Sequence, residues 1–176
     1  MRDLVREAVD FGFSHAGGLD VATLVPREEV RDMCAADRCG AYGRSWVCPP
    51  GCGTLDRNRQ VITRFRTGLI VQTTAELEDD FDYDTMMAAD ALQKKRVAEF
   101  RDVLTDDFPA LVALGNGACD LCPECTYPDE PCRHPAWAIS SMEAFGLVVS
   151  EVCAANNLPY YYGPGTITYT GCYLLD

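Results

Sequence analysis

Four cysteines fall within fourteen residues, Cys119-Asp-Leu-Cys122-Pro-Glu-Cys125-Thr-Tyr-Pro-Asp-Glu-Pro-Cys132, and no other stretch so narrows what this chain can become. Two successive C-x2-C steps let three thiolates converge on one face of a tight loop, and Cys132 follows six residues rich in proline and acid, able to fold back as a fourth. The surrounding segment has few large apolar residues, so bonds from thiolates to metal are what would order it. A structural zinc site usually draws two ligand pairs from separate knuckles, which leaves a third cysteine at the same interval without a tetrahedral place. A cubane needs three such ligands, because each thiolate binds a different iron while backbone N–H groups point at the sulfurs. The spacing therefore favours iron over zinc. It also departs from the bacterial ferredoxin run, since Cys132 lies seven residues after Cys125 and is followed by Arg133.

An upstream group follows a different pattern: Cys34, Cys39, Cys48 and Cys52, spaced C-x4-C-x8-C-x3-C. Glycines at 40, 43, 51 and 53 and prolines at 49 and 50 deny the segment regular structure. The expected result is a loop over 34–52 that wraps a second metal, with Tyr42 and Trp46 shielding it from water. Pro49-Pro50-Gly51 forms a turn short enough to bring Cys52 back towards Cys48, so Cys52 is expected to close this site. If it does not, the fourth place falls to water, a small molecule or a distant side chain such as Cys172. The bland reading is that some of these thiols are small buried hydrophobes.

At 176 residues, with 48% hydrophobic and 24% charged side chains, the chain suits one globular domain over residues 1–176. Its 15 basic and 27 acidic side chains leave a formal charge of −12, which argues against nucleic-acid or anionic-membrane partners and for basic surfaces on a redox partner protein. The first nine residues lack the uninterrupted apolar core of a signal peptide, and no apolar run reaches membrane-spanning length. The expected compartment is the cytoplasm, where clustered cysteines signal metal or redox chemistry more often than disulfides.

Along the chain, residues 2–12 carry a helical apolar spacing, and 15–24 read as a strand that Pro26 stops. Residues 27–33 form a helical turn or two leading to Cys34. Thr54 caps a helix whose stripe is Val61, Ile62 and Phe65. The β-branched run 68–74 predicts a core strand. The acidic patch 76–84 lacks the glycine and final glutamate of a calcium loop and reads as linker or helix start. Helical periodicity over 85–104 gives Met86, Ala89, Leu92, Val97, Phe100 and Leu104 as core candidates, and 108–114 reads as a second apolar strand. Ser140 or Ser141 caps a helix that Gly146 interrupts and that ends near 155; a final strand-rich stretch covers 166–175. Cys153 and Cys172 belong to the core. Strand and helix alternate, so the expected architecture is α/β, a mixed sheet of about four strands packed with helices, carrying two cysteine loops.

Taken together, Cys39-Gly-x-Tyr42-Gly-x-x-Trp46-x-Cys48-Pro-Pro, Gly-x-Cys119-x-x-Cys122-x-x-Cys125, Pro131-Cys132-Arg133-x-Pro135 and Ser141-Met-Glu-Ala-x-Gly146 resemble the predicted metal-binding proteins grouped as domain of unknown function 2284. The resemblance runs in order across nearly the whole chain. It implies one module containing both cysteine groups, with Arg133 and residues 141–143 part of its motif. It further implies a cytoplasmic protein of organisms with anaerobic metabolism, and that the position of Cys52 is often not cysteine in the family. No reaction comes with it.

Three functions compete. The first is an iron–sulfur protein with two 4Fe-4S clusters, ligated by Cys34, Cys39, Cys48 and Cys52 and by Cys119, Cys122, Cys125 and Cys132, that moves single electrons to or from a partner enzyme. The second is a cluster-dependent enzyme or small-ligand-binding module with an open iron. Arg133 would then grip a carboxylate, and His134, Glu143 and tyrosines 160–162 would supply polar groups. The third is a structural zinc protein. The bland alternatives are that Arg133 pairs with Asp129 or Glu130 and that His134 is a surface residue. No nucleophile elbow, phosphate loop or dinucleotide fingerprint is present.

Overall fold

The computed structural model describes residues 3–176; Met1 and Arg2, at the start of the expected first helix and of the stretch searched for a signal peptide, lie outside the described residues. Helix α1 (Leu4–Phe11) is capped by the Asp3 carboxylate, which accepts from the Arg6 N–H. Strand β1 (His15–Asp20) is shorter than expected. It stops because the Asp20 carboxylate accepts from the Ala22 N–H at 3.0 Å and starts a 3-10 turn over Val21–Thr23. Helix α2 (Glu28–Ala35) carries Cys34 in its last turn, and α3 (Leu55–Ile62) starts at the expected Thr54 cap. Strand β2 (Thr67–Glu76) leads into α4 (Tyr83–Thr105), capped by Asp82.

The strand expected over 108–114 shrinks to β3 (Val112–Leu114), since Leu111 donates to the Phe108 carbonyl at 3.0 Å and holds residues 108–111 in a turn. Gly146 interrupts the next helix as expected: a 3-10 turn over Glu143–Phe145 ends at Gly146, φ +82°, before α5 (Val149–Ala155). Strand β4 (Thr166–Leu175) closes the sheet.

The four strands lie in the order β1-β2-β4-β3. The α/β architecture and strand number match the sequence reading, but every ladder is antiparallel where a mixed sheet was expected. The cause lies in β4. β2 and β3 run in the same direction on either side of α4, as an alternating chain suggests, and β4 enters between them and pairs antiparallel with both. Among the described residues a parallel element survives only in the isolated bridge between Gly115 and Ser141.

Both faces of the sheet are covered, so β2 and β4 are apolar on both sides. Ile70, Cys172 and Leu174 join Met142, Phe145, Leu147 and Val152 on one face. Leu69, Val71, Tyr173 and Leu175 join Ala8, Phe13, Val97, Phe100 and Leu104 on the other. Cys153 and Cys172 are fully buried, which removes Cys172 as a ligand for the upstream group and places both in the core as expected. Of the predicted α4 core set, Leu92 is 40% exposed and faces solvent. Among the described residues no helix is long and apolar enough to cross a membrane.

The tightest point of the sheet is Gly68, where an added Cβ would collide with the Tyr173 carbonyl oxygen and stand 3.0 Å from Leu19 Cδ2. Gly68→Ala is expected to destabilise the fold by about 1–3 kcal/mol, the usual cost of overpacking. Gly18→Ala, with nothing within 4 Å of its added Cβ, should be neutral or stabilise by about 0.4–1 kcal/mol through the unfolded chain. Urea denaturation of both variants checks the contrast.

Candidate metal centre

The two cysteine groups emerge at neighbouring points of the fold. The upstream loop runs from the end of α2 to the start of α3. Asp37, at φ +52°, turns the chain, and its carboxylate accepts from the Tyr42 N–H at 3.0 Å and from Arg44 Nη2 at 3.1 Å. Gly43 N–H donates to the Pro49 carbonyl at 2.8 Å, and Cys52 N–H donates to the Cys48 carbonyl at 3.0 Å, the return turn foreseen from Pro49-Pro50-Gly51. The four upstream thiols influence one another electrostatically, Cys34 with Cys39 and Cys52, and Cys48 with the same two. A cavity of about 180 Å³ is lined by Cys34, Cys39, Cys48, Tyr42, Ser141 and Glu143, among others. Cys52 stands to one side. Its thiol donates to the Ala144 carbonyl at 3.6 Å and accepts from Arg31 Nη1 at 3.4 Å.

The downstream loop leaves β3 at Gly115 and returns at Ser141. Its neck is closed by Gly115 N–H to the Ser140 carbonyl (2.8 Å) and Met142 N–H to the Gly115 carbonyl (3.0 Å). Cys119, Cys122, Cys125 and Cys132 line one small cavity with Ser45, Arg133 and His134. None of residues 117–140 is buried, so the segment has no apolar core of its own. Local hydrogen bonds shape it: Thr126 Oγ1 to the Pro131 carbonyl (3.0 Å), Arg133 Nη1 to the Glu124 carbonyl (3.0 Å) and His134 N–H to Cys132 Sγ (3.4 Å).

The loops interlock. Trp46, expected to shield the upstream group, instead reaches the downstream loop: its Nε1 donates to the Glu130 carbonyl at 3.0 Å and its ring meets Tyr127 edge-on at 4.9 Å. The expected shielding role stays with Tyr42, which borders the upstream cavity. The Cys119 backbone N–H donates to the Cys48 thiol, so a residue of one group is hydrogen-bonded to a residue of the other.

Burial raises the thiols of Cys34, Cys52 and Cys119, and pushes Cys48 up to about 11. Cys125 is the exception. Burial acts upward on it too, but the N–H groups of Tyr127, Trp46 and Thr126 and the Ser45 hydroxyl outweigh that and hold its thiol below the usual range. Ten soft sulfur donors, eight of them in two groups of four, with backbone N–H groups aimed at several sulfurs, suit thiolate-binding metals such as zinc or iron–sulfur clusters. The donor set fits a metal. Among the described residues, no three Cys, His, Asp or Glu side chains are drawn in around one point as ligands of a single ion would be.

The polar residues proposed for catalysis are scattered. Glu143 borders the upstream cavity; Arg133 and His134 belong to the downstream loop, and His134 is exposed. Arg133 donates to the Glu124 backbone rather than to the side chains of Asp129 or Glu130. Tyr162 stacks on His15 at 3.9 Å and donates to Gln72, on a different part of the molecule.

Two residues escaped the sequence reading. Arg31 is tied to the carbonyls of Ala144 and Gly53 at 2.5 Å each and reaches Cys52. Its position three residues before Cys34, one helical turn back on the same face, was the available signal. Ser45 acts on both Cys48 and Cys125, and nothing in its spacing marks it.

A thiol with a lower pKa carries more thiolate at a given pH and reacts faster with an alkylating agent. In metal-free protein at neutral pH, iodoacetamide is therefore expected to modify Cys125 before Cys48 and before the fully buried Cys172, which burial pushes up to about 12. Raising the pH towards 11 should narrow the gap for Cys48. Peptide mass spectrometry along a time course reads the order.

No curated protein and no solved structure matches the chain. The family described as predicted metal-binding protein (DUF2284) matches residues 18–175, which include both cysteine loops and all four strands except the first residues of β1. By that match the chain belongs to this family of predicted metal-binding proteins.

Proposed function

We propose that the protein binds two 4Fe-4S clusters and passes single electrons to or from a partner protein. The observation that carries this reading is the set of backbone N–H groups directed at sulfur: Trp46, Thr126 and Tyr127 at Cys125, Leu121 at Cys119, His134 at Cys132 and Cys119 at Cys48. Such donors favour the more negative, reduced state and are among the levers by which a protein sets a cluster's potential. When bound, each cluster would supply a one-electron couple.

Cys119, Cys122, Cys125 and Cys132 would hold one cluster. Cys34, Cys39 and Cys48 would hold three corners of the other, with the fourth falling to Cys52 or to Glu143, which lines the same cavity as those three. The lack of any buried residue over 117–140 supports a role for metal in ordering the downstream loop, because a segment this long without an apolar anchor loses more conformational entropy than its few hydrogen bonds offset. The formal charge of −12 suits docking on a basic partner surface in the cytoplasm and disfavours nucleic acid or an anionic membrane.

Protein purified without oxygen is expected to be brown and to contain about eight irons and eight sulfides per chain, as two cubanes require. Stoichiometric zinc without sulfide in such protein would sink the proposal. Cys122→Ser is expected to halve the iron and to lower the melting temperature as well. If this variant kept full iron and the parent melting temperature, the downstream loop would not be a cluster site.

A further inference from the structure

Glu143 is a carboxylate set among thiols. It borders the upstream cavity with Cys34, Cys39 and Cys48, and it acts electrostatically on Cys34. Glu143 is exposed as a residue, so solvent reaches it as well as the cavity that it lines. Its carboxylate accepts from its own backbone N–H and from the Ser141 hydroxyl. No Lys, Arg or His is paired with it among the described residues.

A carboxylate that lines one cavity with three thiols offers a metal there an oxygen donor beside three sulfurs. The turn that carries Glu143 is also firmly held. Ser141 Oγ accepts from the Ala144 N–H at 3.0 Å, and the Ala144 carbonyl receives Arg31 Nη1 at 2.5 Å and Asn58 Nδ2 at 3.4 Å. Ser141 thus positions the carboxylate as residues behind a metal ligand commonly do.

Cys52 is in the opposite situation. It lies near Cys34 and Cys48, but it is absent from the cavity lining, and its thiol already has a donor in Arg31 and an acceptor in the Ala144 carbonyl. Nothing about it is left unanswered without a metal.

We infer that Glu143 supplies an oxygen ligand that completes the upstream metal site with Cys34, Cys39 and Cys48, while Cys52 stands beside the site as a hydrogen-bonded neighbour. This rests on the reading that the cysteine cavities hold metal. It assigns the upstream centre three sulfur donors and one oxygen donor, against four sulfurs downstream.

The test compares Cys52→Ala, Glu143→Gln and Glu143→Cys with the parent protein, all purified without oxygen, by iron and sulfide content and Mössbauer spectroscopy. The expected result is full iron in Cys52→Ala and loss of about one iron in eight in Glu143→Gln, as one corner of one cubane comes free. Glu143→Cys should recover that iron with an all-thiolate spectrum, which keeps the test informative if the glutamine variant folds poorly. Loss of the upstream cluster in Cys52→Ala, or parent iron and spectrum in Glu143→Gln, or a parent spectrum in Glu143→Cys, overturns the inference. Zinc in place of iron would defeat the cluster proposal by itself. Zinc absorption spectroscopy would then decide Glu143 independently: the inference stands if one site has three sulfurs and one oxygen and Glu143→Gln removes that oxygen, and it falls otherwise.

Discussion

Both candidate centres depend on the backbone clasp at Gly115. Its N–H and carbonyl bond to Ser140 and Met142, closing the neck of an excursion in which residues 117–140 include no buried side chain. A loop with so little apolar anchorage would ordinarily be free to wander. The clasp instead fixes both its ends to the edge of the sheet, where β3 pairs with β4. The same clasp sets the course of the chain that follows, so the turn bearing Glu143 and Ala144 arrives against α2, which carries Arg31 and Cys34. One pair of hydrogen bonds therefore positions the downstream cysteines directly and the polar wall of the upstream cavity indirectly.

The Ala144 carbonyl extends that order into the upstream loop. Arg31 from α2, Asn58 from α3 and the Cys52 thiol all converge on it. A charged donor to a carbonyl of this kind is worth more than a neutral one and leaves an uncompensated charge if its partner moves. The resulting electrostatics are uneven. Most of the thiols with displaced titration are held protonated by burial, while Cys125 sits in a nest of N–H donors. Metal binding must then displace protons from the buried thiols, so affinity for metal should weaken as pH falls.

Contact between the loops makes them one unit. Trp46 from the upstream loop is bonded to Glu130 and packed on Tyr127, and Gly51 has no room for a side chain because Ser45 and Tyr127 press against it. Residues sharing partners in this way couple energetically, so changes in one group will not add independently to changes in the other.

Much of this was legible in the chain. The Thr54 cap, the break at Gly146, the core strand around Ile70, the burial of Cys153 and Cys172 and the two sets of cysteines all follow from local chemistry: a hydroxyl before a helix, a residue tolerant of positive φ, a β-branched run, thiols at short intervals. Those signals act over a few residues, and the spacing of side chains carries them. The direction of the sheet was not legible, since whether β2 and β3 meet as a parallel pair depends on β4, some fifty residues beyond β3, entering between them. Nor was the allegiance of Trp46 to the downstream loop, the arrival of Arg31 at Cys52, or the contrast between a hydrogen-bonded Cys52 outside the cavity lining and a Glu143 within it. Each of these depends on atoms brought together from distant segments, and only the closed fold determines which of the available donors and acceptors are already taken.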